Sequence, residues 1–144
     1  MKRTSFLIIV FLLISILAGC AEANAFDWDK TVEAVTGQGL AIDQSFTTEA
    51  ELTDATRLFN SQHQARGGKF SLEIKRAVVL LKDGDKGTNC QIVEFANSNQ
   101  AEEYAKYYIA TRDKTSAYRI ATDGPYIVLT SMSTVVEALD MDFK

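Results

Sequence analysis

Histidine occurs once in the 144 residues, proline once and cysteine twice. Each scarcity removes a class of function. His63 is the sole imidazole, so a Ser-His-Asp arrangement has one candidate base. Ser61, Ser71 and Ser98 have no G-x-S-x-G setting around them. No H-E-x-x-H, C-x-x-C or EF-hand loop occurs. His63 and Cys90 together fall short of the four ligands of a structural zinc site. Two cysteines cannot staple a disulfide-dense scaffold. Basic residues are also in short supply: 15 Lys and Arg face 19 Asp and Glu, for a net charge of −4. That balance is opposite to the basic surplus of a nucleic-acid binder. With 47% hydrophobic and 24% charged residues, the chain has the composition of a folded protein, and its length suits one domain.

A membrane-spanning run is missing too. The longest apolar stretch, Phe6 to Leu17, is twelve residues interrupted only by Ser15. A helix crossing the bilayer needs about 20. Twelve suits the h-region of a signal peptide, with Lys2 and Arg3 as its positive n-region. Leu17-Ala18-Gly19-Cys20 follows directly and resembles the lipobox of bacterial lipoproteins. The resemblance implies a diacylglyceryl group on the Cys20 thiol, cleavage between Gly19 and Cys20, and often a further fatty acyl chain on the new amino group. An ordinary secretory signal with a chance cysteine and an uncleaved anchor are the alternatives. Two or three acyl chains hold a protein stably where one does not. The expected location is therefore the extracytoplasmic face of the cell membrane, through lipid on Cys20.

Removing residues 1–19 leaves thirteen basic and nineteen acidic residues. Anionic headgroups mildly repel such a surface, so attachment falls to the lipid. Cys90 then has no partner and reads as a small core residue in a strand. Residues 20–26 form the lipidated cysteine and a short tether, and the domain spans 27–144. Six residues from Ala21 to Phe26 reach at most about 20 Å, which keeps the domain close to the membrane.

Along that domain, Asp27 caps a short helix with Trp28, Val32 and Val35 on one face and Gly37 as its stop. Leu40 to Phe46 reads as a strand. Thr48 and Glu51 form a capping box ahead of a second helix, with Leu52, Ala55, Leu58 and Phe59 inward, ending near Asn60 to Gln64. His63 lies in this polar end, where the dipole favours a cation, and is expected to be solvated. Lys69 to Lys82 and Thr88 to Ala96 read as a hairpin around Asp83-Gly84-Asp85-Lys86-Gly87. Asn97 with Gln100 opens a third helix whose buried face is Ala101, Tyr104, Ala105, Tyr108 and Ile109. Ala117 to Ala121 and Tyr126 to Thr130 read as strands around Asp123-Gly124-Pro125, and Ser131 or Ser133 caps a last helix. The expectation is an α+β two-layer sandwich: an antiparallel sheet, helices mainly on one face, a ferredoxin-like βαββαβ core and extra terminal helices.

The second half also resembles small lipoproteins of Gram-positive bacteria. The shared features are Phe95 at a strand end, Asn97-Ser98-Asn99-Gln100-Ala101 opening a helix, and Gly124-Pro125-Tyr126-Ile127-Val128-Leu129. This resemblance implies a fold more than an activity.

No catalytic residue, cofactor or metal site emerges. Asp83, Asp85 and Asn89 offer oxygens to a hard cation, but Lys82 and Lys86 interleave with them and no bidentate glutamate follows. Gly37-Gln38-Gly39 lacks the third glycine of a dinucleotide loop. Nothing selects Glu73, Glu94 and Asp123 as a carboxylate site. Tyrosine is favoured at contact surfaces, which makes Tyr107, Tyr118 and Tyr126 the candidate interaction surface; Tyr118 and Tyr126 are expected side by side across the last hairpin. The leading expectation is a membrane-anchored protein- or ligand-binding module with a partner in the cell envelope. A carboxylate-based envelope hydrolase and a surface-exclusion or immunity lipoprotein are the rivals.

Overall fold

The computed structural model describes residues 26–144. The lipobox and residues 20–25 lie outside them. Helices α1 (Trp28–Thr36), α2 (Glu49–Ala65), α3 (Ser98–Thr111) and α4 (Ser133–Ala138) surround strands β1 (Ala41–Phe46), β2 (Ile74–Lys82), β3 (Asp85–Phe95), β4 (Arg119–Asp123) and β5 (Tyr126–Thr130). The protein is α+β, built as a sandwich on one open five-stranded sheet.

Local signals set the helix starts. Asp27 accepts from Lys30 N–H at 3.1 Å. Thr48 and Glu51 close a reciprocal box, in which Thr48 N–H donates to Glu51 Oε2 at 3.0 Å. Asn97 Oδ1 accepts from Gln100 N–H at 3.1 Å. The expected return bond from Gln100 is not made: Gln100 Oε1 accepts from Glu73 N–H instead, at 2.8 Å. Neither Ser131 nor Ser133 caps α4. Ser131 Oγ accepts from Asn89 N–H and donates to Gly87 O, which ties the β3 start to the β5 end. The hairpin loop is tighter than expected. Asp83 and Gly84 both have positive φ, 52° and 73°, and Lys82 faces Asp85. That is the Asp-Gly loop whose twist matches the flanking strands.

The sheet order is β1-β2-β3-β5-β4, with every neighbouring pair antiparallel. One split β-α-β unit is present: β3 and β4 run parallel with β5 between them. The second unit of a ferredoxin-like core is absent, because β1 lies at the edge beside β2. The cause is the segment 66–73, expected to be strand from Lys69. It runs back along α2. Leu72 N–H donates to Asn60 Oδ1 (2.7 Å), Asn60 Nδ2 donates to Leu72 O (2.8 Å) and Ile74 N–H donates to Thr56 Oγ1 (3.0 Å). This extra reversal brings β2 in antiparallel to β1, where a simple helical crossover would have made them parallel. Asn60→Ala should therefore cost about 2 kcal/mol in urea unfolding, since it leaves the nearly inaccessible Leu72 backbone unpaired. Asn60→Asp, which keeps the acceptor, should cost less.

Alternation divides the strands between two cores. Ala77, Val93, Phe95, Ile120, Ile127 and Leu129 face the long helices, with Phe59 of α2 and Tyr104 of α3. Val78, Leu80, Cys90, Ile92 and Val128 face the opposite side. The expectation of helices mainly on one face holds for the long pair α2 and α3. The other face is covered by α1, α4 and the tail from Leu139 to Phe143. Cys90 is fully buried there, and burial pushes its thiol up to about 12, so it stays a protonated core group.

Candidate functional site: an open sheet edge between two grooves

The two edges of the sheet differ. Along β4, Ile120 N–H donates to Lys144 O (3.2 Å) and Lys144 N–H donates to Ile120 O (2.9 Å). Arg112 Nη1 also donates to Lys144 O, at 2.6 Å. The tail thus pairs with that edge. Along β1 no described segment pairs on the outer side. None of its six residues is buried, and a strand edge left in this state offers backbone donors and acceptors to another chain.

A groove flanks β1 on each face. On the α2 side, a concavity of about 400 Å³ has Gln44, Phe46 and Val79 in its floor and Leu58 and Phe59 in its wall. Leu58, expected inward on α2, is instead 56% exposed. On the α1 side, a concavity of about 470 Å³ lies between Ile42 and Ser45 of β1 and Asp29, Val32 and Glu33 of α1. Ile42 is 54% exposed. Between Ile42 and Gln44 the register slips, leaving Asp43 at a bulge.

The α1-side groove ends at a built cluster. Phe26 stacks on Tyr126 with ring centres 4.3 Å apart, and Trp28 tilts against the same ring at 6.3 Å. The Arg76 guanidinium sits 3.9 Å over Trp28. Arg76 Nε and the Tyr126 hydroxyl both donate to the Glu94 carboxylate, each at 3.3 Å. The cluster fixes Phe26, the first described residue, to the sheet. Of this group, the sequence pointed to Tyr126 alone as a contact residue. Trp28, Arg76 and Glu94 converge from three separate elements.

The three tyrosines chosen from sequence do not form one surface. Tyr126 is in the cluster just described. Tyr118 lies beyond the far end of the β4–β5 hairpin, where Arg119 faces Thr130 while Asp123 faces Tyr126. It packs against the opposite core, and its hydroxyl accepts from Asn89 Nδ2. Tyr118 and Tyr126 are therefore not side by side. Tyr107 lies on α3, half-buried, with its ring edge-on to His63 at 5.3 Å.

His63 is the largest correction. It is fully buried, and neither ring nitrogen has a hydrogen-bond partner. Tyr104 and Tyr107 flank the ring and Gly68 closes over it. The helix dipole that favours a cation here is outweighed by loss of water. Burial holds the imidazole below its ordinary 6.5, with the Glu103 carboxylate opposing weakly.

The weaker candidates resolve similarly. The Asp85 carboxylate accepts from Gly87 N–H and Thr88 Oγ1, which holds it within its own turn. Among the described residues no three His, Cys, Asp or Glu side chains are grouped to hold a metal ion. Glu73 pairs with Lys75, and Glu94 with Arg76. Among the described residues no helix is long and apolar enough to cross a membrane. Comparison of the chain with known protein families, curated proteins and solved structures finds no match.

Proposed function

We propose that this chain is a lipid-anchored binding module on the extracytoplasmic face of a bacterial membrane, and that it receives an extended segment of an envelope protein on the free edge of β1. The lipobox residues Leu17 to Cys20 support the anchor. The Phe26–Tyr126 contact supports a domain held close to the bilayer, because it shortens the tether. The observation that carries the binding role is the contrast between the edges: one is paired with the chain's own tail, and the other has no partner among the described residues and a groove on each face. Strand addition is a general way in which an unpaired edge gains a partner.

Site-specific photocrosslinking in whole cells tests this reading. A crosslinker at Ile42 or Leu58 should give a discrete adduct, whereas one at Thr122 on β4 should give none. Cys20→Ala should move the protein out of the membrane fraction and abolish the adduct. Equal labelling from both edges, or a membrane fraction unchanged by Cys20→Ala, would count against it.

A further inference from the structure

We infer that the segment received on β1 alternates basic and apolar side chains, an inference that rests on the strand-docking reading above. A strand added to β1 lies about 4.8 Å outside it and sends successive side chains to opposite faces. One set meets the α2-side groove, the other the α1-side groove. The α2-side groove presents Phe46, Leu58 and Phe59, which suit apolar side chains, and its charged lining residues, Asp54 and Arg57, are paired with each other. The α1-side groove presents Asp29 and Glu33, and Asp43 stands at the bulge. None of these three carboxylates belongs to an ion pair among the described residues. The cation in that groove, Arg76, is already held by Glu94 and Trp28. A lysine or arginine stem is long enough to lie over Ile42 and carry its charge to the carboxylates.

The same features disfavour a second copy of this chain. Two β1 edges would bring two Asp43 bulges together, and a bulge with a charge is a common device against edge-to-edge pairing. The copies would also share an acidic surplus.

The test uses the full chain, isotope-labelled and held in detergent micelles. It is titrated with a capped octapeptide of alternating lysine and valine, and with its glutamate–valine counterpart. The lysine peptide should shift the backbone amide signals of residues 41–46 and slow their exchange. The glutamate peptide should bind about tenfold more weakly, as expected for two or three partly exposed charge pairs. Asp29→Lys combined with Glu33→Lys should invert that preference, and raising the salt to 0.5 M should shrink it. Equal binding of both peptides would overturn the preference for basic side chains while leaving strand docking in place. Failure of either peptide to touch residues 41–46, or self-association through those residues, would overturn strand docking itself.

Discussion

Gly68→Ala should lower the unfolding free energy by about 3 kcal/mol, a large share of the 5–15 kcal/mol of a typical domain. A Cβ on Gly68 would lie 2.1 Å from His63 Nε2 and 2.3 Å from two ring carbons. A side-chain tip can usually move aside, but this one is fully buried between Tyr104 and Tyr107. Nor can the backbone retreat freely, since Gly68 N–H donates to His63 O at 2.9 Å. The cost is one of space and not of conformation, because Gly68 has no positive φ. Gly67 beside it has φ +91°, so Gly67→Ala is strained by its backbone and should cost about 1 kcal/mol. The two mechanisms separate in a double mutant. His63→Ala removes the ring, so adding Gly68→Ala to it should cost far less than Gly68→Ala alone. Urea titrations of the four proteins check this. Strict additivity would show that the ring does not press on Gly68.

That contact also shows where sequence reading stops. Helix starts were legible because caps act over three residues: Asp27, Thr48 with Glu51, and Asn97 each bond within their own first turn. A turn at Asp83-Gly84 was legible for the same reason, though Asp85 to Gly87, expected in it, belong to β3; so were the buried positions Ala101, Tyr104, Ala105 and Tyr108, while Ile109, expected with them, is exposed. Strand order was not. It turns on Asn60 reaching twelve residues forward to Leu72 and on Gln100 reaching back to Glu73. An asparagine near a helix end and a glutamine at a third helical position carry no sign of such partners. The burial of His63 depends on Tyr104 and Tyr107, some forty residues away, and on Gly68 folding over the ring.

That β1 is an open edge was not read from the sequence, where Leu40 to Phe46 was expected only as a strand. Ile42-Asp43-Gln44-Ser45 puts polar residues on both faces of a strand, which is the pattern of an edge. Which edge stays open depends on where the tail goes. Lys144 pairs with Ile120 and not with β1, and no local pattern in Met141 to Lys144 indicates that choice. Tyr118 and Tyr126 failed as a pair through register. Neighbours across a hairpin must be equidistant from its turn; Tyr126 adjoins the Gly124-Pro125 turn and Tyr118 does not.

The stability of the domain should fall as the medium becomes acidic below about pH 6.5, and His63 should account for the fall. In the unfolded chain the imidazole takes a proton near its ordinary 6.5. In the folded protein it takes one only at lower pH, since a buried imidazolium would have no water and no hydrogen-bond partner. Between those two values the unfolded state holds the extra proton. Stability therefore drops with falling pH, by at most about 1.4 kcal/mol per unit, and this group contributes no slope well above 6.5. The charges nearest the ring do not cancel the effect. The Glu103 carboxylate pulls the imidazole's proton affinity back only in part, while Arg66 is engaged over the Tyr108 ring at 4.6 Å and Lys106 lies 5.5 Å from the Tyr107 ring. Other acid-sensitive groups act in a lower window. Asp27, Glu51, Asp85 and Asp113 are all held below the usual carboxylate range by hydrogen bonds, and their contribution is lost only as they protonate there. His63→Leu removes the titrating group from an apolar site and keeps about the same volume. Urea titrations at pH 7.5, 6.5, 5.5 and 5.0 should give a steep loss for the native chain and a nearly flat line for His63→Leu. Parallel lines would mean that the ring is hydrated or paired in solution, and that the segment over it does not depend on a neutral imidazole.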